Sequence, residues 1–185
     1  NSSYKASSLY QVIGRLPRRY RRDSKCIINC GERIFTTKRA HGFAYYILNA
    51  RWSKGKHELT FECIEDNGLP VAIGLAEDDW DVRYSLGHYL HQIRSYRING
   101  HCEIRSPRDK DYDIVDRIIC DGMIITLKVD LDEHTLEFYF DEEQIGKTIQ
   151  IRSCYTISNK KMPYYPFIHI KCGSNPPQYR LISCH

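Results

Sequence analysis

No stretch of this 185-residue sequence approaches the roughly 18 consecutive apolar residues that a membrane-spanning helix needs. Asn1 to Tyr10 also lack the apolar core of a signal peptide. With only 11 Gly and 7 Pro, collagenous and low-complexity chains are excluded. At 12% aromatic and 42% hydrophobic residues, with 14 Tyr, the chain is too rich in packing residues to stay disordered. What these absences leave is one soluble globular domain, long enough to bury roughly two-thirds of its unfolded surface. The chain begins at Asn1 rather than Met, which reads as an excised or processed segment of a longer protein.

Catalytic signatures are missing as well. There is no G-x-x-x-x-G-K-[ST] phosphate loop, no G-x-G-x-x-G after a strand, no H-E-x-x-H and no G-x-S-x-G. A Cys-His dyad assembled in space has no support in spacing. The carboxylates Asp130, Asp132 and Glu133 lack EF-hand spacing and fall where a hairpin turn wants acidic residues, so they read as a solvated turn. C-x-x-C is absent too, although eight cysteines are present. The nearest metal candidates are Cys26 with Cys30 and the group His88, His91, His101 and Cys102, and neither has zinc-ribbon form. The cysteines lie far apart, several inside apolar runs such as Ile27-Ile28 beside Cys26 and Ile118-Ile119 before Cys120. That is the pattern of reduced, buried thiols in an intracellular protein, cytoplasmic or nuclear. No cofactor and no metal are expected.

Charge is unevenly placed. Residues 1–40 hold ten Lys and Arg against two carboxylates, a net of +8, so the remainder carries −4 of the overall +4. The excess centres on Arg15, Arg18, Arg19, Arg21 and Arg22. A solvated arm, an acidic protein partner and nucleic acid are all compatible with such a run. Acidic residues gather at Glu77-Asp78-Asp79 with Asp81, and from Asp130 to Glu143, where seven carboxylates occur without a single Lys or Arg.

What is present is a succession of short runs rich in Val, Ile, Thr, Tyr and Phe, bounded by Gly, Asn, Asp and Pro. This is the form of an all-β chain folded as a two-sheet antiparallel β-sandwich. Strands are expected at 26–29, 33–37, 43–48, 58–64, 71–75, 92–98, 123–131, 135–140, 145–151, 165–171 and 179–182. Leu59, Phe61 and Cys63 share one face and Glu58, Thr60 and Glu62 the other. From Ile125 to Leu131 the odd positions are apolar and the even ones polar, a half-buried strand. Asp132-Glu133-His134 is expected to turn one hairpin and Asp141 to Gln144 a second. Residues 105–116 read as an exposed loop, and Glu77 to Gly87 as a loop long for a hairpin. There is no interdomain linker. Residues 1–25 form a basic arm packing on or leading into the domain, and 26–185 form the sandwich.

Loop aromatics and arginines remain: Trp80, Arg83, Tyr84, Tyr96 and Arg97, with Tyr20, Tyr89, Tyr155, Tyr164 and Tyr165. Tyr, Trp and Arg dominate interface hot spots because each offers a large rigid surface with a polar handle. Trp80 stands out, since its neighbours Asp78, Asp79 and Asp81 make a core position a poor fit.

The order of these runs resembles a SPRY domain, the two-sheet sandwich of many adaptor and ubiquitin-ligase proteins. The resemblance is carried by Gly55-Lys56-His57-Glu58-Leu59-Thr60-Phe61-Glu62, by Val71 to Leu75 with its Ile-Gly-Leu, and by Leu86-Gly87 before an aromatic strand. Asp130 with Thr135 to Tyr139 and Ile145-Gly146 corresponds to the family's D…TLSFYKNG…LG, and Tyr165-Pro166-Phe167-Ile168 to its YPAV. Here Asp141-Glu142-Glu143 stand in place of Lys-Asn-Gly. The chain is similar, around residues 31–42 and 86–97, to the SPRY subunit of histone methyltransferase complexes and to the heterogeneous nuclear ribonucleoprotein U type. In the methyltransferase type a pocket for an acidic segment falls on or near Phe35, Ala72, Ser85, His88, Tyr96 and Arg97.

The resemblance implies a non-catalytic protein-protein interaction module, an adaptor or substrate-recognition part of a larger protein, whose end loops grip a short peptide or partner surface. The expected contact residues are Trp80, Arg83, Tyr84, His88, Tyr96 and Arg97, with the basic arm as electrostatic contributor and a monomeric domain. The alternative is a nucleic-acid-binding domain whose arm grips phosphates while Tyr20 stacks on a base. A sugar-binding protein or enzyme on a similar sandwich would need calcium or a carboxylate cleft.

Overall fold

A computed structural model describes residues 34–36, 43–48, 50, 52–68, 71–77, 95–99, 103–105, 112–114, 117–151, 164–171 and 173–185. Twelve strands lie within them: β1 (Ile34–Phe35), β2 (Phe43–Ile47), β3 (Lys56–Glu65), β4 (Val71–Glu77), β5 (Ser95–Asn99), β6 (Glu103–Arg105), β7 (Tyr112–Ile114), β8 (Ile124–Asp130), β9 (Thr135–Phe140), β10 (Glu143–Gln150), β11 (Tyr164–Lys171) and β12 (Gln178–Cys184). They form two six-stranded sheets, ordered β1-β12-β3-β8-β9-β10 and β2-β11-β4-β5-β6-β7. Every pairing is antiparallel.

The first sheet follows its alternating sequence. Leu59 pairs with Leu127 and that in turn with Phe138, while Phe61, Ile125 and Phe140 make the next row. All six side chains are buried in the core, beside Cys63, Val129 and Leu136. Phe35 of β1 meets Phe61 edge-to-face, ring centroids 5.7 Å apart, an arrangement that suits the two ring quadrupoles. Ile73 and Leu75 of β4, Ile98 of β5 and Ile168 and Ile170 of β11 close the core from the second sheet.

The sheets differ on their other faces. Along β4 burial does not alternate: Val71, Ala72, Ile73, Gly74 and Leu75 are all buried, as are Pro166, Phe167 and Ile168 of β11, so this part of the second sheet is covered on both sides. In β8, by contrast, Lys128 is exposed between buried Leu127 and Val129, and the outer face of the first sheet is open.

Two expectations need correction. Residues 105–116 are not one loop, because β6 ends at Arg105 and β7 spans Tyr112–Ile114, pairing with β6. Edge strands are commonly this short and this charged, which hides them among turn-forming residues. The second hairpin turns on Asp141 and Glu142 alone, since Glu143 already pairs with Phe140. Both turn residues sit at positive φ, 48° and 75°, as the twist-compatible two-residue turn demands, although neither is the glycine such a turn favours. β10 then breaks register. Ile145 faces Phe138 and Ile149 faces Leu136, so residues 146–148 stand opposite Glu137 alone, with Gly146 at φ 66°. This bulge is what the Ile145-Gly146 pair encodes.

The expected arm, residues 1–25, and the expected strand at 26–29 lie outside the described residues.

Candidate functional site

One end of the sandwich is assembled by Trp52. Its backbone exchanges two hydrogen bonds with Tyr164, at 2.9 and 2.8 Å, which ties it to the first residue of β11. Its indole, 5% exposed, stacks on the His57 imidazole with centroids 4.5 Å apart and planes 7° from parallel. His57 Nε2 lies 2.8 Å from the Lys54 carbonyl oxygen, which fixes the imidazole. The start of β3 in one sheet and of β11 in the other are thereby joined at a single point. Tyr164 pairs with Glu77, the last residue of β4, so the β4–β5 connection departs from this same end.

That connection runs from residue 78 to residue 94. Neighbouring antiparallel strands need only about two to five residues to turn, so most of its length is not required for closure. Trp80, Arg83, Tyr84 and His88 fall within it and lie outside the described residues. Tyr96 and Arg97 stand at its foot, in β5, where the backbone pairs them with Leu75 and Gly74. Of the six expected contact residues, the structure thus describes only the backbone of Tyr96 and Arg97. Arg15, Arg18, Arg19, Arg21 and Arg22 lie outside the described residues. Two positions assigned by the methyltransferase-type likeness are corrected by burial: Phe35 and Ala72 are 1% and 0% exposed and present no side chain to a partner.

Beside this end, on the open face of the first sheet, lies a groove of about 460 Å³ lined by Lys56, His57, Asp130, Glu137 and His185 among others. Two of its carboxylates, Asp130 and Glu137, are committed to structure. Asp130 accepts the Glu133 and Asp132 N–H groups at 3.0 and 3.1 Å, and Lys56 stands 3.5 Å away. The Glu133 N–H first, then the Asp132 N–H and the Lys56 ammonium, hold its carboxyl below the usual carboxylate range. Glu137 accepts the Tyr139 hydroxyl at 2.7 Å and the Thr148 hydroxyl at 2.9 Å. That bond keeps the Tyr139 hydroxyl protonated to higher pH than usual. Asp132 in turn accepts the Gly55 N–H at 3.1 Å, tying the β8–β9 turn to the segment before β3. A general acid or base needs a side chain free to exchange a proton with substrate, whereas Asp130 and Glu137 are turn and sheet fasteners. Among the described residues no group of three His, Cys, Asp or Glu is arranged to hold a metal ion. Nor is any helix among them long and apolar enough to cross a membrane.

Sequence reasoning did not single out this groove. Its rows run across β3, β8 and β9, and the only local signal is the alternation that turns Glu58, Lys128 and Glu137 outward.

No family model matches the sequence, and no curated protein does. Solved structures do. The SPRY domain of human HERC1 superposes with a TM-score of 0.55 at 17% identity, over 84% of this chain and 91% of that one. A second human SPRY domain gives 0.53 at 13% identity, over 80% and 90%. At such identities the likeness is one of fold: the chain is a SPRY-like, two-sheet antiparallel sandwich.

Proposed function

We propose that this chain is a non-catalytic protein-interaction module, recognising a short peptide or partner surface through the connections at the Trp52 end, as the adaptor or substrate-recognition part of a larger protein. The observation that carries the reading is the β4–β5 connection, far longer than closure needs and rooted on a rigid two-sheet scaffold. Within it Trp80, Arg83 and Tyr84 are of the types that supply most binding energy in interfaces. The commitment of Asp130 and Glu137 to hydrogen bonds within the sheet supports a binding role over a catalytic one. The likeness to SPRY structures is consistent with it, as a likeness of fold.

The test is capture of partners from a lysate of the source cells by the wild-type chain and by a Trp80→Ala/Tyr84→Ala variant, at low and high salt and after nuclease. A protein retained at high salt and lost with the variant supports the reading. Capture that survives the variant but disappears with salt or nuclease overturns it in favour of the basic arm. In that case five neutralised phosphates give a log–log salt slope of about −3.5 on single strands.

A further inference from the structure

The first sheet's open face carries a second groove, of about 760 Å³, reaching from Glu58 and Lys128 toward the opposite end of the sandwich. It is built around apolar side chains that strand alternation turns outward. Ile182 follows buried Leu181 and so faces outward, 45% exposed, at the bulge where β12 pairs Leu181 with Phe61 and then Ser183 with Thr60. Ile124 and Tyr139 line the same groove, flanking Thr60 and Thr126, whose hydroxyls bond each other at 3.3 Å, so the floor carries apolar patches around a satisfied hydroxyl pair.

Its charge is one-sided. Among the described residues, Glu58, Asp141 and Glu142 line it against a single cation, Lys128, whose ammonium sits over the Tyr139 ring, 4.4 Å from the centroid. That position holds Lys128 on the floor beside Tyr139. An apolar floor with a negative rim selects for the opposite pattern in a ligand.

We propose that this groove docks an extended, basic segment of a partner protein, one aliphatic side chain seating between Ile182 and Tyr139 while flanking Lys or Arg side chains meet Glu58 and the Asp141–Glu142 turn. Alternate residues of an extended strand point the same way, so a Leu-Lys-Leu pattern presents its apolar side chains to the floor, while its Lys side chains leave the opposite face and bend along their long stems to the rim. The groove's lining comes from β3, β8, β9, β12 and the β9–β10 turn, and the proposal stands or falls apart from the function proposed above.

The experiment is a fluorescence-anisotropy titration of the full 185-residue chain with a fluorescein-labelled Leu-Lys-Leu-Arg-Leu-Lys peptide. Saturable binding is expected. Replacing each Leu of the peptide by Ser, or each cation by Glu, weakens it about tenfold or more. Ile182→Ser and Glu142→Lys each weaken it about fivefold or more, the latter most at low salt. Both positions are exposed, and far-UV circular dichroism with a urea midpoint verifies that each variant folds. Trp80→Ala/Tyr84→Ala leaves this binding unchanged. The proposal is overturned by absence of saturable binding up to about 1 mM, where specific recognition has no remaining strength. It is equally overturned by equal binding of the Ser peptide, by preference for the acidic peptide, by wild-type affinity in both groove variants, or by loss with the Trp80/Tyr84 variant.

Discussion

Asp141 and Ile124 are fastened to each other twice: the Asp141 N–H donates to the Ile124 carbonyl at 2.9 Å, and the Asp141 carboxylate accepts the Ile124 N–H at 2.9 Å. The turn after β9 is thereby anchored to the first residue of β8. This double link explains how a turn made of Asp141 and Glu142 persists at positive φ without glycine, since the neighbouring strand supplies what the turn sequence lacks.

Glu142→Gly should stabilise the chain. At φ 75° a Cβ costs about 1 kcal/mol that glycine does not pay, so the urea midpoint should rise by an equivalent amount. Asp141→Ala should act in the opposite direction by about 1 kcal/mol, because it removes the acceptor of the Ile124 N–H. If Glu142→Gly lowers the midpoint, the turn conformation described here is wrong.

Acid should loosen the β8–β9 turn. The Asp130 carboxyl titrates below its ordinary value, held by the Glu133 and Asp132 N–H groups and by Lys56. Its stabilising contribution is therefore complete above the unfolded-state pKa of roughly 3.9 and fades as pH falls through the lower folded value. Asp130→Asn removes that titration, so its urea midpoint should change less between about pH 5 and pH 2 than the wild type's. Parallel curves for the two proteins count against the assignment.

Cys63 and Cys120 should differ sharply in reactivity. Burial pushes the Cys63 thiol up to about 12, against the opposing pull of its hydrogen bond with Tyr179 across the β3–β12 pair. Cys120 is exposed. Alkylation with N-ethylmaleimide near neutral pH, read by peptide mass spectrometry, should modify Cys120 about tenfold or more ahead of Cys63. The same raised pKa makes the fold prefer the neutral thiol. Stability is unaffected by Cys63 below its unfolded-state pKa and is lost as pH rises from there toward about 12. Cys63→Ala should flatten that alkaline loss.

Phe35→Ala should cost about 3–5 kcal/mol despite lying in a two-residue strand, because it empties a buried site against Phe61. The companion change Ile182→Ser, at an exposed position, should shift stability by no more than about 0.5 kcal/mol. Equilibrium urea unfolding of the pair separates an inward from an outward apolar residue on the same sheet.

The strands of the first sheet were legible because one face is buried and the other wet, so Leu59, Phe61 and Cys63 against Glu58, Thr60 and Glu62 declare the period directly. Val71 to Leu75 read as a strand through continuous apolarity instead, which fits its burial on both faces. β7 was hidden because Tyr112 and Ile114 are enclosed by Asp and Lys, a composition shared by turns and short edges. The exact turn at Asp141 escaped because its conformation is imposed by Ile124, distant in sequence. The outward direction of Ile182 follows from the alternation that buries Tyr179 and Leu181, whereas the bulge beside it is set by a register jump against β3, more than a hundred residues earlier in the chain. Of the expected contact residues, Trp80, Arg83, Tyr84 and His88 lie outside the described residues, and Tyr96 and Arg97 lie in β5.

The break in β10 opposite Glu137 has a bearing on how copies of this molecule meet. β10 closes the first sheet, and an incoming strand there finds only three regularly spaced positions, Glu143 to Ile145, before the chain kinks at Gly146 and presents Lys147. Ladder growth from that side stalls after one or two hydrogen bonds, which removes one edge-to-edge route to fibrils.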